Sequence, residues 1–287
     1  MKVLITGASG QLARAFIRRF QQNGTPFLAP PEAQLDITDA GIVRAAVDAF
    51  RPDVIINGAA YNNVDAAENV PDVAFRVNRD AVGILADAAR QHGARLVHFG
   101  SDFVFDGTAQ IPYDENDATA PLSVYGQSKL EGETAALAAG QGSLLFRVSW
   151  VFGDGTQNFF WKLREWSRGK SSIRVVWDQI SVPTYTEDIV TVTLKALEQG
   201  LEGLWHLTNS GYGSRIETAR VFLREIGSDC TVIPVGSDAF PSPARRPFFS
   251  VMSNRRLTGC LDLRIPEWED AVVRFAHDLK TTPVVSP

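Results

Sequence analysis

Short apolar runs alternate with amphipathic stretches over most of the chain, and that alternation predicts an α/β protein. Residues 3–5, 27–28, 54–56, 96–99 and 144–148 are dense in Val, Ile, Leu and Phe and read as buried strands. Between them, residues 11–22, 41–50, 73–92 and 124–139 carry patterns that read as helices with a buried face. Thr38 or Asp39 is a cap for the helix at 41–50, which ends before Pro52. Strands and helices in this order build a Rossmann-type doubly wound parallel sheet. Past Gly153 the pattern is less regular, with helices expected at 158–167 and 186–199 and strands at 173–176 and 204–207. The last eighty or so residues hold Gly211-Tyr212-Gly213 and a proline-rich stretch at 240–247, breaker signals that predict a small, loop-rich lobe. The expected division is a dinucleotide-binding domain over 1–153, its sheet completed by part of 170–208. A smaller, discontinuous and mainly substrate-binding lobe is expected over 154–287.

Composition narrows the class. A chain of 287 residues buries roughly three quarters of its unfolded surface, ample for a large domain and a smaller lobe. Its net charge is −5 and no basic block interrupts it, which argues against nucleic acid or an anionic membrane as the main partner. No apolar run reaches transmembrane length, and Met1-Lys2-Val3 leads straight into a strand, so the expected location is cytoplasmic. Cys230 and Cys260 read as packing thiols. His92, His98, His206 and His277 are scattered without metal-ligand spacing, and no metal is expected.

Two motifs carry chemistry. In the first, Tyr125 and Lys129 stand four apart on a predicted helix and share one face. A lysine ammonium beside a phenol stabilises phenolate, so the Tyr125 pKa is expected to fall toward neutrality and make it a proton donor or acceptor. In the second, the strand at 3–5 runs into Gly7 and Gly10 and then a helix. Gly7 permits a tight turn, Gly10 admits close approach of a pyrophosphate, and the helix N-terminus offers free N–H groups. Ala13 stands where a third glycine often packs. Ligands of such sheets bind beyond the carboxyl ends of the strands, which draws in Ser101 and Asp102 after the fourth strand and Trp150 after the fifth. Ser101 can hydrogen-bond a substrate oxygen alongside Tyr125, and Trp150 can stack on a sugar or base.

Together these motifs resemble the extended short-chain dehydrogenase/reductase superfamily, and within it the branch typified by dTDP-4-dehydrorhamnose reductase. The resemblance runs through Leu35–Asp39, Asn57–Tyr61 with Val64-Asp65 and Glu68, Ser101–Gly107, Tyr125–Lys129, Arg147–Trp150, Asp178–Thr184, His206–Asn209 and Arg246-Pro247. It implies NADPH-dependent reduction of the C4 carbonyl of a nucleotide-linked 4-keto-6-deoxysugar, with Tyr125 protonating the alkoxide, Lys129 lowering its pKa and holding the ribose, and Ser101 orienting the carbonyl. It further implies that Gly7, Gly10, Gln11 and Leu12 meet the pyrophosphate, Asp36 and Ile37 the adenine, and Ala59, Ala60, Tyr61 and Asn78 other parts of the cofactor. Asp102, Phe103, Trp150, Gln179, Thr184 and Arg246 are implied to bind the sugar nucleotide, Arg246 through the diphosphate. Phe103 stands where this family usually carries Tyr, so one hydroxyl near the sugar is missing. The segment after the second strand, Leu28-Ala29-Pro30-Pro31, offers neither an acidic residue for a ribose hydroxyl nor an arginine for a 2′-phosphate. NADH is therefore expected to be accepted beside NADPH, with Arg14 a candidate aid to the latter. The alternative reading is a non-catalytic NADP-binding regulatory subunit resembling that of methionine adenosyltransferase. The sequence leaves a homodimer open.

Overall fold

The computed structural model describes residues 1–138 and 142–281. The first half of the chain runs β1 (Val3–Thr6), α1 (Gln11–Asn23), β2 (Phe27–Leu28), α2 (Ala40–Phe50), β3 (Val54–Asn57), α3 (Val64–Ala67), α4 (Pro71–Phe75), α5 (Ala81–His92), β4 (Arg95–Ser101), α6 (Val124–Ala138) and β5 (Ser143–Val148). It continues through β6 (Val151–Phe152), α7 (Phe159–Ser167), β7 (Ser172–Val176), β8 (Ile180–Ser181), β9 (Thr184–Tyr185), α8 (Thr186–Glu198) and β10 (Gly203–His206). The chain then forms β11 (Gly213–Ser214), α9 (Arg215–Glu225), β12 (Thr231–Val235), α10 (Arg255–Leu261) and α11 (Trp268–Thr281).

Six strands form one parallel sheet in the order β2-β1-β3-β4-β5-β10. The four central strands are almost wholly buried, as expected when helices cover both faces. One face packs on α1 and α8 through Phe16, Phe20, Ile189 and Val192, the other on α2 and α5 through Val43, Val47, Val82 and Leu85. Because β1 lies between β2 and β3, the chain reverses direction across the sheet there, and the loops after β1 and β3 diverge to opposite faces. That is the crevice where such sheets bind ligands. Asp39 rather than Thr38 caps α2, accepting from the N–H groups of Gly41 and Ile42.

One expectation is refined and one fails. The helix read at 73–92 is present and starts two residues earlier, but it carries a π-helical turn at Arg76–Asp80 between α4 and α5, where Asn78 is buried against the loop after β3. The C-terminal lobe is not loop-rich: α9, α10, α11 and β12 lie in it. Ser214 and Glu217 form a reciprocal capping box that starts α9 immediately after the Gly211–Gly213 breaker. The lobe has its own core, in which Phe152, Phe160, Tyr185, Phe222 and Phe275 pack ring on ring at centroid separations of 4.7–6.2 Å. Cys230 is buried there, whereas Cys260, also expected to be a packing thiol, is exposed on α10. Ala139, at the end of the helix expected over 124–139, lies outside the described residues. Among those residues, no helix is long and apolar enough to cross a membrane.

Candidate active site

The turn after β1 is shaped for an anion. Gly7 has φ +65°, and a Cβ there would collide with the backbone of Gly58 and Ala59, so the loops after β1 and β3 touch at the crevice. Gly10 precedes α1, its N–H donating to the Gly7 carbonyl at 2.8 Å, and no side chain caps the helix. The first amides of α1, at Gln11 and Leu12, therefore remain available to a phosphate. Gln11 turns its side chain elsewhere, donating to the Val151 carbonyl at 2.9 Å and accepting from Asn158 at 3.3 Å. Arg14 donates to the Asp154 carbonyl at 3.1 Å, so its guanidinium also serves the 151–158 segment. Ile37 is buried in the sheet's helical face. Asp36 is exposed, and the Thr38 N–H and hydroxyl on its carboxylate hold its pKa below the usual range. Of these residues, Gly7 is the one set directly against the loop after β3.

Asn78 organises the other wall. From the π-helical turn its side chain accepts from Tyr61 N–H at 2.8 Å and donates to the Tyr61 carbonyl at 3.1 Å, fixing the Ala59–Tyr61 loop. It also donates to Ser128 Oγ on α6 at 2.9 Å. Gly132 lets the two backbones meet, since a Cβ there would overlap the Asn78 carbonyl. π-Helical turns concentrate at functional sites, and here the wide turn aims one amide at both the loop and α6.

α6 starts where Ser123 Oγ accepts from Gly126 N–H at 3.1 Å and Glu68 accepts from Val124 N–H at 2.8 Å. Its buried face is polar: Tyr125, Ser128, Lys129 and Glu133 are each 9% exposed or less. The Tyr125 phenol lies within electrostatic reach of the Ser101 hydroxyl, which acts to lower its pKa. Burial pushes the phenol up to about 12, the reverse of the fall expected from Lys129. Desolvation wins because the ammonium points away, donating to the Phe99 carbonyl at 2.6 Å. Burial in turn brings Lys129 down to about 8, against the opposing charge of Glu133. Tyr125 is thus held as a protonated phenol near neutral pH, the form that donates a proton. Beside this group His98, neutral through burial, meets the Asn57 amide at 3.1 Å.

Ser101 ends β4 at the sheet's carboxyl edge, and its Oγ accepts from Phe103 N–H at 3.2 Å. Nearby, the Glu133 carboxylate accepts from Arg147 at 2.9–3.2 Å in a pair buried on both sides. Asp102 is buried with it. One carboxylate oxygen accepts from Ser149 at 3.1 Å, Ser181 at 3.0 Å and Ser250 at 2.5 Å, tying the sheet edge to three segments of the second half of the chain. Burial nonetheless raises its pKa. Phe103 sets its ring edge-on to Tyr125 at 5.5 Å, closing the apolar side of the phenol.

The other residues implied to meet the sugar nucleotide divide. Trp150 follows β5 with φ +39°, unusual for a bulky side chain, and its ring lies 3.5 Å beneath the Arg215 guanidinium. Gln179 is half-buried, donates to Ser237 Oγ at 3.1 Å and accepts the Arg215 N–H at its carbonyl. Thr184 is fully buried, its hydroxyl given to the Val182 carbonyl at 3.1 Å. Arg246 forms a two-pronged ion pair with Asp65 at 2.7 and 3.0 Å, joining the C-terminal lobe to α3. Glu133 was visible in the sequence as the next rung of the Tyr125-Lys129 ladder. Ser149, Ser181, Ser250 and Arg215 carry no local signal, because only folding gathers them.

Similar proteins agree with this geometry. The family model described as "RmlD substrate binding domain" matches residues 1–281. A dTDP-4-dehydrorhamnose reductase of Mycolicibacterium smegmatis is 38% identical over 276 residues, 94% of this chain and 84% of that one. The crystal structure of a dTDP-4-dehydrorhamnose reductase from Clostridium acetobutylicum superposes with a TM-score of 0.94 at 34% identity, covering 98% of this chain and all of that one. That of a dTDP-4-dehydrorhamnose reductase from Bacillus anthracis in complex with NADP gives a TM-score of 0.93 at 32% identity, over 96% and 99% of the two chains. A full-length match of sequence and fold, with the Gly7 turn, Ser101, Tyr125 and Lys129 at one sheet edge, identifies this chain as a member of the RmlD substrate binding domain family.

Proposed function

We propose that the chain is an NADPH-dependent reductase of the C4 keto group of a nucleotide-linked 4-keto-6-deoxysugar. The observation that carries this reading is the buried Tyr125 phenol, held protonated beside the buried Ser101, at the same sheet edge as the uncapped N-terminus of α1. Gly7, Gly10 and the α1 amides would hold the pyrophosphate, and Ala59–Tyr61, fixed by Asn78, would line the central part of the dinucleotide. When bound, the nicotinamide supplies hydride to the carbonyl carbon.

The chain's own residues do the rest. The Ser101 hydroxyl orients the carbonyl oxygen, and Tyr125 gives its phenolic proton to that oxygen as negative charge develops. The Lys129 ammonium, turned from the phenol to the Phe99 carbonyl, would hold the ribose of the cofactor, and reprotonation of Tyr125 from solvent resets the site. Phe103, Phe99 and the buried serines around Asp102 keep the surroundings of the phenol dry, which strengthens each of these interactions. The named activity of the relatives supports the sugar class, and nothing among them favours a non-catalytic regulatory subunit. The test is to mix the protein with NADPH and a panel of nucleotide-linked 4-keto-6-deoxysugars and follow loss of the reduced nicotinamide absorbance. Turnover of at least one such sugar, lost in Tyr125→Phe, is expected. Absence of turnover across thymidine-, uridine- and guanosine-linked substrates would overturn the proposal.

A further inference from the structure

His98 is a buried titratable group that the reduction above does not use. It stands in the middle of β4, in register with Asn57 of β3, which pairs in turn with Thr6 of β1. The three side chains form one buried row on the sheet face covered by α2 and α5, just beyond the apolar row of Leu4, Ile55 and Leu96. Hydrogen bonds fix the direction of this row. Asn57 Oδ1 accepts from Thr6 Oγ at 2.6 Å and from the Ala59 N–H at 3.2 Å. A backbone N–H can only donate, so the side-chain oxygen of Asn57 is the atom turned toward Ala59 and its NH2 faces the imidazole. At 3.1 Å from that NH2, His98 Nδ1 accepts, which puts the ring's proton on Nε2. Among the described residues Nε2 has no hydrogen-bond partner, so the ring's one polar tie is to Asn57. A charged imidazole would set a second donor against the Asn57 NH2 and a second cation near the Lys129 ammonium, and burial already holds the His98 pKa well below its ordinary value.

What Asn57 holds is the loop after β3. Ala59 lies against the Gly7 turn, where a Cβ on Gly7 would overlap the Ala59 backbone. At the far end of the same loop, Asn78 engages both the N–H and the carbonyl of Tyr61. Two buried amides therefore clamp Ala59–Tyr61, and each has an outside partner that fixes which way its oxygen points: Ser128 for Asn78, His98 for Asn57. Without the Nδ1 acceptor, the Asn57 NH2 becomes a buried donor with nothing to bond. Turning the amide over to relieve it presents that NH2 to the Ala59 N–H, and the hold on the loop is lost.

We propose that His98 is a positioning residue for the cofactor loop: accepting through Nδ1, it orients Asn57 and so holds Ala59 where the dinucleotide passes. This rests on the reading that Ala59–Tyr61 lines the dinucleotide, and it names the residue behind that wall. The test separates an acceptor from a space-filler. His98→Asn keeps an acceptor near the position of Nδ1 but loses ring volume, whereas His98→Phe keeps the volume and loses the acceptor. NADPH affinity, read by isothermal titration calorimetry, should stay within about threefold of wild type in His98→Asn and weaken at least tenfold in His98→Phe. In steady state, the KM for NADPH in His98→Phe should rise more than kcat falls. A role in packing alone reverses the order, with His98→Phe the better binder, and overturns the proposal. Equal NADPH affinity in all three proteins overturns it too, and either result leaves the reductase standing. Nitrogen-15 NMR of histidine-labelled wild type, with the His98 signals identified by their loss in His98→Asn, reads the ring directly. At pH 7 an unprotonated Nδ1 and a protonated Nε2 are expected; the opposite tautomer or a charged ring overturns the proposal even where His98→Phe does not fold. A wild-type protein that binds no NADPH overturns both this proposal and the reading beneath it.

Discussion

Glu133 offers the sharpest test of how the buried polar face of α6 works. Its carboxylate accepts Arg147 Nε at 3.0 and 3.2 Å and Arg147 Nη2 at 2.9 Å, and it opposes the loss of charge on Lys129. Glu133→Gln keeps the shape but removes the charge and turns an amide donor toward neighbours that are themselves donors. Arg147, 4% exposed, would keep one neutral amide oxygen and the face of Phe105 at 5.2 Å, but no counter-charge from residue 133. Breaking a buried ion pair from one side costs about 3–5 kcal/mol. With an unfolding entropy of about 2.1 cal/mol/K per residue over the whole chain, that loss lowers Tm by about 5–8 °C. A second effect is catalytic. Lys129 is charged below its pKa of about 8 and loses its proton as pH rises through that value, so kcat/KM for reduction should fall on the alkaline side near pH 8. Without Glu133 the ammonium is less stable still, and the alkaline fall should move to lower pH. Glu133→Gln/Arg147→Met should recover much of the Tm, because the guanidinium is then no longer stranded, while leaving the pH profile of Lys129 displaced. Differential scanning calorimetry and pH-rate profiles read the two effects separately. A single variant melting within about 1 °C of wild type, or a profile restored by the second substitution, would refute the reasoning.

Tyr125→Phe should lower kcat by roughly two to four orders of magnitude with NADPH affinity nearly intact, since it removes one oxygen from a buried ring; wild-type turnover would strip Tyr125 of its role as proton donor. The partly exposed Asp65–Arg246 pair is worth about 0.2–1 kcal/mol, so Arg246→Ala and Asp65→Asn should each shift Tm by less than about 2 °C. Both should raise KM for the nucleotide sugar to a similar degree if the pair sets the lobe against α3, whereas an effect confined to Arg246→Ala would put that arginine on the ligand. With no acidic residue directly after β2, both cofactors should be used with a modest preference for NADPH. A hundredfold preference for NADH in steady-state kinetics would point instead to a ribose-reading carboxylate such as Glu32.

Much of this protein was legible from local pattern, and the reason is physical. The short apolar runs before Gly7, Asn57, Ser101 and Arg147 could bury both faces only inside a parallel sheet, and the Gly7 turn needs a backbone conformation that sequence announces directly. Tyr125, Lys129 and Glu133 sit on one helical face because of their spacing alone. The helix over 73–92 was legible but its π-helical turn at Arg76–Asp80 was not, since that turn goes with Asn78 finding Tyr61 and Ser128, partners 17 and 50 residues away. α9 was announced by Ser214 and Glu217, but the neighbouring glycines spoke louder. The direction of the Tyr125 shift was beyond reach as well: spacing brings a cation within range, but burial and the carbonyl of Phe99 decide where that cation points. Sequence thus determined the sheet, the phosphate turn and the chemical groups on α6, all set by contacts between near neighbours. Tertiary structure alone decided the protonation of those groups, the three serines on Asp102 and the free guanidinium of Arg215, because desolvation and long-range pairing exist only once distant segments meet.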